Sequence, residues 1–206
     1  MELTRKAQLF ATQAHERAGQ TRKFTGEPYI VHPASVVQIL MSVAPSAEMI
    51  AAAWLHDVVE DTDISPQVIE AEFGPLVAQY VEMLTDVRTR RTGGERIARK
   101  NANLLHSARA CPEAQTIKLC DLIDNAALVV ERDPLFARKY LLEMKRLLRV
   151  LTAGHPQLYQ QASALCESGL ATLRKQPEAA RWLEERWARY EADLSLSSVT
   201  VGSASE

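Results

Sequence analysis

Cysteine is scarce in this sequence, and its placement excludes two kinds of structure. Cys111, Cys120 and Cys166 are odd in number, lie far apart and form no Cys-x-x-Cys pair. A disulfide scaffold needs paired cysteines, and a structural zinc site usually takes its ligands from closely spaced cysteine pairs. We therefore expect a chain that folds on an ordinary hydrophobic core in a reducing cytoplasm.

Long apolar runs and a strong charge of one sign are absent as well. No run approaches the ~18 apolar residues of a membrane span, and the N-terminus lacks the apolar core and cleavage signature of a signal peptide. The 24 basic and 26 acidic residues leave a formal net charge of -2, which gives no general attraction for nucleic acid or an acidic membrane. We expect a cytoplasmic protein with neither of these partners.

Helical periodicity is what the sequence has in abundance. Apolar residues recur at spacings of three and four, as Leu3, Ala7 and Phe10 do, and convincing period-two strands are missing. The pattern predicts an all-α bundle of roughly eight to ten helices, in one domain over residues 1–193. Residues 194–206 are small and polar without periodicity, so we expect them to form a disordered tail.

The same pattern predicts where the helices that matter for function begin and end. Pro33 is expected at the first position of one helix, where its missing N–H costs nothing. Continuous helices are predicted over about 46–60 and 112–131, and a polar, basic loop is predicted at 85–95.

Ligand-type side chains are dense at the end of the predicted helix 46–60. On a helix, His56 and Glu60 are one turn apart, as are Asp57 and Asp61, so two stacked pairs share one helix end. For this segment alone, a solvated acidic helix end with a hydrogen-bonded histidine is the more ordinary interpretation.

Two further segments favour a metal site. His32 lies in an apolar stretch, where a histidine is costly unless it has a partner. Asp121 lies in a mainly apolar helical run, and a buried carboxylate is normally neutralised, paired or bound to metal. A salt bridge from Lys118, three residues earlier, is an equally good explanation of Asp121 alone.

Taken together, His32, His56, Asp57 and Asp121 make a ligand set of two imidazoles and two carboxylates. A set without thiolate suits an octahedral ion such as Mn²⁺, with open positions, better than a closed structural zinc site. Zinc, iron(II) and cobalt stay open as alternatives, because raw affinity does not favour manganese.

The order His, His-Asp, Asp resembles that of the HD phosphohydrolase superfamily. In order and spacing, the segments 22–33, 56–62 and 118–125 resemble the hydrolase domain of RelA/SpoT-type alarmone enzymes, over roughly residues 5–150. The chain stops where bifunctional members continue into a synthetase domain, and so is similar to stand-alone small alarmone hydrolases. Cys120 stands where alanine is usual in that motif.

The resemblance implies an HD-domain helical bundle and a reaction. The reaction is Mn²⁺-dependent hydrolysis of the 3′-pyrophosphate of an alarmone, (p)ppGpp or (p)ppApp, giving pyrophosphate and the 5′-nucleotide. One Mn²⁺ would be held by His32, His56, Asp57 and Asp121. Glu60 and Asp61 match the pair that orients or deprotonates the attacking water. A second metal would need further histidines between His56 and Asp121, where only His106 lies.

The resemblance also implies contacts with a small-molecule nucleotide substrate. Arg22 and Lys23 match positions that flank the nucleotide, Asn125 would contact it, and Tyr140 would stack on the ribose. The basic cluster at 88–100 either attracts a polyphosphate or is a solvated loop.

Other functions remain open from the sequence. A different HD-type metal-dependent nucleotide phosphohydrolase, such as a nucleoside monophosphate hydrolase, is one alternative. A non-catalytic alarmone-binding regulator is another, although its hallmark would be a broken ligand or Glu-Asp set. A helical scaffold with incidental histidines would bind no metal tightly. Residues 155–193 either complete the core or form the dimer face of a homo-oligomer.

Overall fold

The computed structural model describes residues 2–23, 25–127 and 129–202, with side chains described up to residue 195. Within these residues the chain is all-α, and ten of its twelve α-helices have eight or more residues. The prediction of an all-α bundle of roughly eight to ten helices is confirmed. In the described residues no strand forms, and a lone antiparallel bridge joins Thr21 to Pro28. None of the described helices is both long and apolar enough to cross a membrane.

The helices follow one another with short connections. A 3₁₀ turn, Met41–Val43, follows the second of them. The α-helices are α1 (Glu2–Arg17), α2 (Val31–Leu40), α3 (Ala47–Leu55), α4 (Val58–Asp61), α5 (Pro66–Phe73), α6 (Pro75–Leu84), α7 (Arg96–Ser107), α8 (Pro112–Ala126), α9 (Val129–Arg132), α10 (Pro134–Leu148), α11 (Pro156–Arg174) and α12 (Pro177–Gly202).

Proline sets many of these boundaries. A first-position proline loses no intrahelical hydrogen bond, and its fixed φ suits the helix. Six helices begin in this way, at Pro66, Pro75, Pro112, Pro134, Pro156 and Pro177. Pro33 differs from the prediction, because α2 begins at Val31 and the proline is its third residue. The first four N–H groups of a helix have no intrahelical partner, so the third position also tolerates proline.

Two predicted helices are interrupted in the structure. The predicted helix 46–60 is two helices, because α3 ends at Leu55 and α4 begins at Val58. Asp57, between them, has φ -101° and ψ -5°, in the bridge region where many active-site residues lie. The helix is therefore not continuous at His56, and the stacking of His56 on Glu60 stays a prediction. The predicted helix 112–131 likewise divides into α8 and α9, and residue 128 between them lies outside the described residues.

Helix α8 is the central element of the bundle. It packs against α2, α3, α6, α10 and α11, and ten of its fifteen residues are buried. Most of these are apolar, as in Ile117, Leu119 and Cys120, but Asp121 is buried with them at 7% exposure. The helix thus carries a carboxylate into the interior, where it needs partners.

The C-terminal helices complete the core. Leu158, Cys166 and Leu170 of α11 are fully buried, and Leu183 and Tyr190 of α12 are each 2% exposed. The described residues of 155–193 therefore pack on the bundle. The backbone of α12 continues as helix to Gly202, through part of the segment expected to be disordered, and residues 203–206 lie outside the described residues. The domain boundary at 193 stays a prediction.

Candidate functional site

The four residues predicted to hold a metal lie together. Helix α2 carries His32, the turn between α3 and α4 carries His56 and Asp57, and α8 carries Asp121. The two Nε2 atoms are 3.3 Å apart. Asp57 Oδ2 lies 3.1 Å from His56 Nε2 and 3.6 Å from His32 Nε2, and Asp121 Oδ1 lies 3.9 and 3.2 Å from the same two atoms. His32, His56 and Asp57 each offer one atom within 4.8 Å of the others, which is close enough for a shared metal ion, and Asp121 lies beside them.

Both histidines are held with Nε2 facing the cluster. His56 Nδ1 donates to the carbonyl oxygen of Ala53 at 2.8 Å, and His32 Nδ1 donates to Asp124 Oδ2 at 2.6 Å. A ring whose Nδ1 carries the proton offers the lone pair of Nε2, as metal-binding histidines do. With Nε2 unprotonated, each ring would direct a lone pair at the same point, so the donor set fits a divalent metal ion.

The electrostatics of the cluster also favour a cation. Burial lowers the pKa of His32, but hydrogen bonds with Asp121 and Asp124 outweigh this and raise it to about 9. Burial alone would raise the pKa of Asp57, but His56 and His32 hold it below its ordinary value. The pKa of Asp121 is also low, since Lys118 and His32 outweigh its burial. Both carboxylates are therefore ionised at neutral pH.

Each oxygen of Asp121 has a separate partner. Lys118 Nζ lies 2.9 Å from Oδ2, and Asn125 Nδ2 donates to Oδ1 at 2.6 Å. Because Oδ1 is also the oxygen nearest the imidazoles, the salt bridge with Lys118 leaves it available as a ligand. The two explanations that the sequence left open for this residue are thus compatible.

A second layer of contacts lies behind the cluster. Arg22 donates to Asp124 Oδ2 at 2.7 Å and to Asn125 Oδ1 at 3.1 Å. Tyr29 donates its hydroxyl to Asp57 Oδ2 at 2.6 Å. Sequence reasoning missed Asp124 and Tyr29 as members of the site. Asp124 is three residues from Asp121, and Tyr29 is three residues from His32. On or next to a helix this spacing makes two side chains neighbours, so it could have identified both residues.

Glu60 and Asp61 line a cavity together with Asp57 and Asp121. Burial, Asp86 and Asp57 raise the pKa of Glu60 to about 7, and its Oε2 accepts a hydrogen bond from the backbone N–H of Asp86 at 3.2 Å. Burial and Asp57 also raise the pKa of Asp61. A carboxylate with a pKa near neutrality can both accept and return a proton.

The cavity has a volume of about 390 Å³, which is within the range of small-molecule sites. Asn125 and Tyr140 line it, as do Arg90, Arg96 and Lys100 from the basic cluster. The Tyr140 hydroxyl donates to the carbonyl oxygen of Leu122 at 3.4 Å. The apolar part of the lining consists of Leu104, Leu122, Phe136, Met144 and Leu147. An apolar wall beside cationic groups suits a nucleotide.

Arg22 and Lys23, the other predicted substrate contacts, have protein partners. Arg22 is held by Asp124 and Asn125, behind His32. Lys23 Nζ pairs with Asp133 at 2.8 Å and lies 4.1 Å from the ring centre of Phe136, a lining residue of the cavity. Lys23 therefore lies at the edge of the cavity, where it contacts Phe136. Arg22 instead binds Asp124, the carboxylate that holds His32.

The family described as HD domain matches residues 7–144 of the chain. This range includes all four predicted ligands as well as Glu60 and Asp61.

Two known proteins are similar in sequence to this chain over part of their length. The guanosine-3′,5′-bis(diphosphate) 3′-pyrophosphohydrolase of Vibrio cholerae is 44% identical over 82 residues, which are 40% of this chain and 11% of that protein. The guanosine-3′,5′-bis(diphosphate) 3′-pyrophosphohydrolase MESH1 of Homo sapiens is 36% identical over 119 residues, which are 56% of this chain and 63% of that protein. The chain therefore covers less than two thirds of either relative.

A solved structure gives a longer match. It is that of a metazoan orthologue of SpoT, described as hydrolysing ppGpp and as playing a role in starvation responses. It is 27% identical, with a TM-score of 0.72, and the match covers 82% of this chain and 96% of that one.

Proposed function

The chain belongs to the HD domain family, and from this membership we propose that it hydrolyses the 3′-pyrophosphate of an alarmone nucleotide. The substrate class is (p)ppGpp or its adenosine counterpart (p)ppApp, and the products are pyrophosphate and the 5′-nucleotide. The proposed cofactor is one Mn²⁺ ion, held by His32, His56, Asp57 and Asp121. The relatives named above as guanosine-3′,5′-bis(diphosphate) 3′-pyrophosphohydrolases support this substrate class.

One observation carries the proposal. Four ligand atoms from three separate parts of the chain converge beside a cavity that also presents Glu60, a carboxyl group with a pKa of about 7. A scaffold with incidental histidines would have no reason to bury these groups together at the cost of their desolvation. When bound, a divalent ion would polarise a phosphoryl oxygen and lower the pKa of a water molecule.

The chain's own residues would manage the proton and the leaving group. Glu60, in its ionised form, accepts a proton from the water that attacks the phosphorus attached to the 3′-oxygen. A bond forms between the water oxygen and that phosphorus while the bond from phosphorus to the 3′-oxygen breaks. The 3′-oxygen leaves with the proton that Glu60 returns, and the products are pyrophosphate and the 5′-nucleotide. Asp61, at the same cavity, helps to orient the water.

The remaining predicted residues would hold the substrate or the ligands. Asn125 and Tyr140 line the cavity, where we propose that they contact the nucleotide. Lys23 would meet it from the edge beside Phe136. Arg22 would act mainly through Asp124, by holding the carboxylate that orients His32.

A product assay tests the function. Purified protein is incubated with Mn²⁺ and ppGpp or ppApp, and the products are separated by ion exchange. We expect pyrophosphate and a 5′-diphosphate, with at least a hundredfold loss in Asp57→Ala and Glu60→Gln. Asp63→Asn is the matched control, because this acidic residue near Asp61 is exposed and should retain activity.

The faster substrate would settle the choice of base. Intact metal binding without cleavage of either alarmone would contradict the proposal and direct a screen of ordinary nucleotides.

A further inference from the structure

A buried arginine lines the cavity at a distance from the predicted ligands. Arg146 of α10 is 2% exposed and belongs to the cavity lining. Its Nε and Nη2 atoms are buried, and neither donates a hydrogen bond to any described residue. Buried guanidinium groups usually spend their donors on carboxylates or carbonyls, because unused donors are costly. The lining thus contains hydrogen-bond donors that the protein leaves unused.

The acidic residues near Arg146 compensate its charge only in part. Its Nε lies 3.5 Å from Glu191 Oε1, beyond a good hydrogen bond, and Glu191 is shared with Arg149 at 3.2 Å. Glu143 is already bound by Arg96 through two bonds of 2.8 Å and by the Tyr190 hydroxyl at 2.5 Å. The Tyr190 ring lies 4.5 Å from the Arg146 guanidinium. An additional anion would therefore complete the environment of Arg146.

The position of Arg146 along α10 suits one end of a nucleotide. Tyr140, on the same helix, reaches the carbonyl of Leu122, the residue next to Asp121. Arg146 follows six residues later, which is about 9 Å along a helix axis. Tyr140 and Arg146 therefore reach different parts of one cavity lining. Arg96 and Lys100 line the same cavity from α7.

We propose that Arg146 is an anion subsite that binds the 5′-phosphate groups of the nucleotide whose 3′-pyrophosphate lies at the predicted metal centre. This inference rests on the proposed function and extends it to the other end of the substrate. The subsite makes the cavity specific for nucleotides phosphorylated at both ends, since only these satisfy Arg146 and the metal centre together.

The test measures binding rather than turnover. Isothermal titration of the Mn²⁺-loaded protein compares GDP with guanosine, and ADP with adenosine. A charge-assisted contact at Arg146 predicts that each 5′-diphosphate binds about tenfold to a hundredfold more tightly than its nucleoside. In Arg146→Gln this ratio should fall by about tenfold, with the affinity for the nucleoside unchanged.

Arg149→Gln is the matched control. Arg149 directly follows the last residue of α10 and pairs with the same Glu191, but it is 58% exposed and does not belong to the cavity lining. It should keep the wild-type ratio. An equal loss in Arg149→Gln, or an unchanged ratio in Arg146→Gln, would overturn the proposal.

Glu191→Gln gives a second test that does not remove the arginine. If Arg146 is an anion subsite, loss of the competing carboxylate leaves GDP binding as tight as in the wild type or tighter. If Arg146 only fastens α12, this variant weakens GDP binding and the proposal fails. If the protein does not hydrolyse alarmones but still binds GDP more tightly than guanosine, only the proposed function is contradicted. The failure of the anion subsite can therefore be distinguished from the failure of the proposed function.

Discussion

Glu60 is a residue whose charge is controlled by its surroundings. Its pKa rises from 4.5 to about 7 in the folded protein, chiefly through burial. The folded state therefore binds a proton more tightly than the unfolded state does. The stability that this group contributes is complete below pH 4.5 and is lost as the pH rises through about 7.

The first prediction follows from the direction of this pKa shift. In metal-free protein, Glu60→Gln should be more stable than the wild type at pH 8, by about 1 to 3 kcal/mol, because the glutamine avoids a buried charge. At pH 4.5 or below the difference should vanish. Urea unfolding at both pH values measures it. A difference that stays constant with pH would contradict the prediction.

The second prediction concerns Asp124, which accepts the hydrogen bond from His32 Nδ1. Loss of such a carboxylate typically weakens metal affinity by about 10- to 100-fold. Asp124→Ala should therefore bind Mn²⁺ less tightly by this factor in a chelator competition. Asp133→Ala removes a carboxylate that pairs with Lys23 and should have wild-type affinity. Equal affinities in the two variants would argue against the role of Asp124.

At this scale the sequence predicted much of the candidate site. His32 and Asp121 could be selected because each is costly in an apolar segment, and His56 and Asp57 because ligand-type side chains are dense around them. The structure brings all four together. Their binding of a metal stays a prediction. Arg146 could not be selected, because an arginine on an amphipathic helix is ordinary until its neighbours are known. The same holds for Asp124, whose significance lies in a contact 92 residues away in sequence.

At the scale of secondary-structure elements, two helix N-termini show what a single capping hydrogen bond contributes. Two serines both precede helices in extended conformation, Ser46 before α3 and Ser65 before α5. The Ser46 hydroxyl accepts from the backbone N–H of Met49 at 3.2 Å, whereas Ser65 makes no such side-chain bond. Comparing the two positions therefore distinguishes the effect of the capping hydrogen bond from the effect of having a serine before the helix.

The third prediction uses this pair. Ser46→Ala should reduce the free energy of unfolding by about 1 kcal/mol, the usual contribution of an N-cap bond, while Ser65→Ala should change it little. Chemical denaturation measures both variants. Mn²⁺ affinity should be unchanged, since the predicted ligands follow the other end of α3. Equal destabilisation of the two variants would contradict the assignment of the cap.

Helix positions were predictable where proline marks a boundary, as it does for six helices. The break at Asp57 was not, because Val58, Val59 and the carboxylates around them continue the helical pattern. The Asp57 side chain contacts the Tyr29 hydroxyl and the His32 ring, both distant in sequence, as well as the neighbouring His56 ring. Periodicity describes one helix face, whereas two of these contacts come from Tyr29, just before α2, and from His32 of α2.

At the scale of the whole molecule, an ion at the predicted centre would connect α2, the turn after α3, and α8. The fourth prediction is that Mn²⁺ at a hundred times its Kd stabilises the folded protein by about 2.7 kcal/mol. For a chain of this length, that raises the Tm by roughly 5 to 10 °C. A chelator should reverse the shift, as differential scanning calorimetry can measure.

The controls for this prediction are Asp57→Asn and Glu60→Gln. Asp57→Asn should lose the Mn²⁺-dependent shift, and Glu60→Gln should retain it, because Glu60 is not among the four predicted ligands. Wild-type protein without any shift would contradict a tight metal site.

The dispersal of the predicted ligands along the chain has a consequence for biosynthesis. Positions 32, 56, 57 and 121 leave the ribosome in that order, so the two imidazoles and Asp57 are exposed before Asp121 is available. At about 5 to 20 residues per second, the interval from position 57 to position 121 is several seconds. A nascent chain therefore passes through a stage with an incomplete, weakly binding ligand set. A metal site built from these four residues would be complete only after α8 has emerged and packed, so metal selection would be a property of the finished fold.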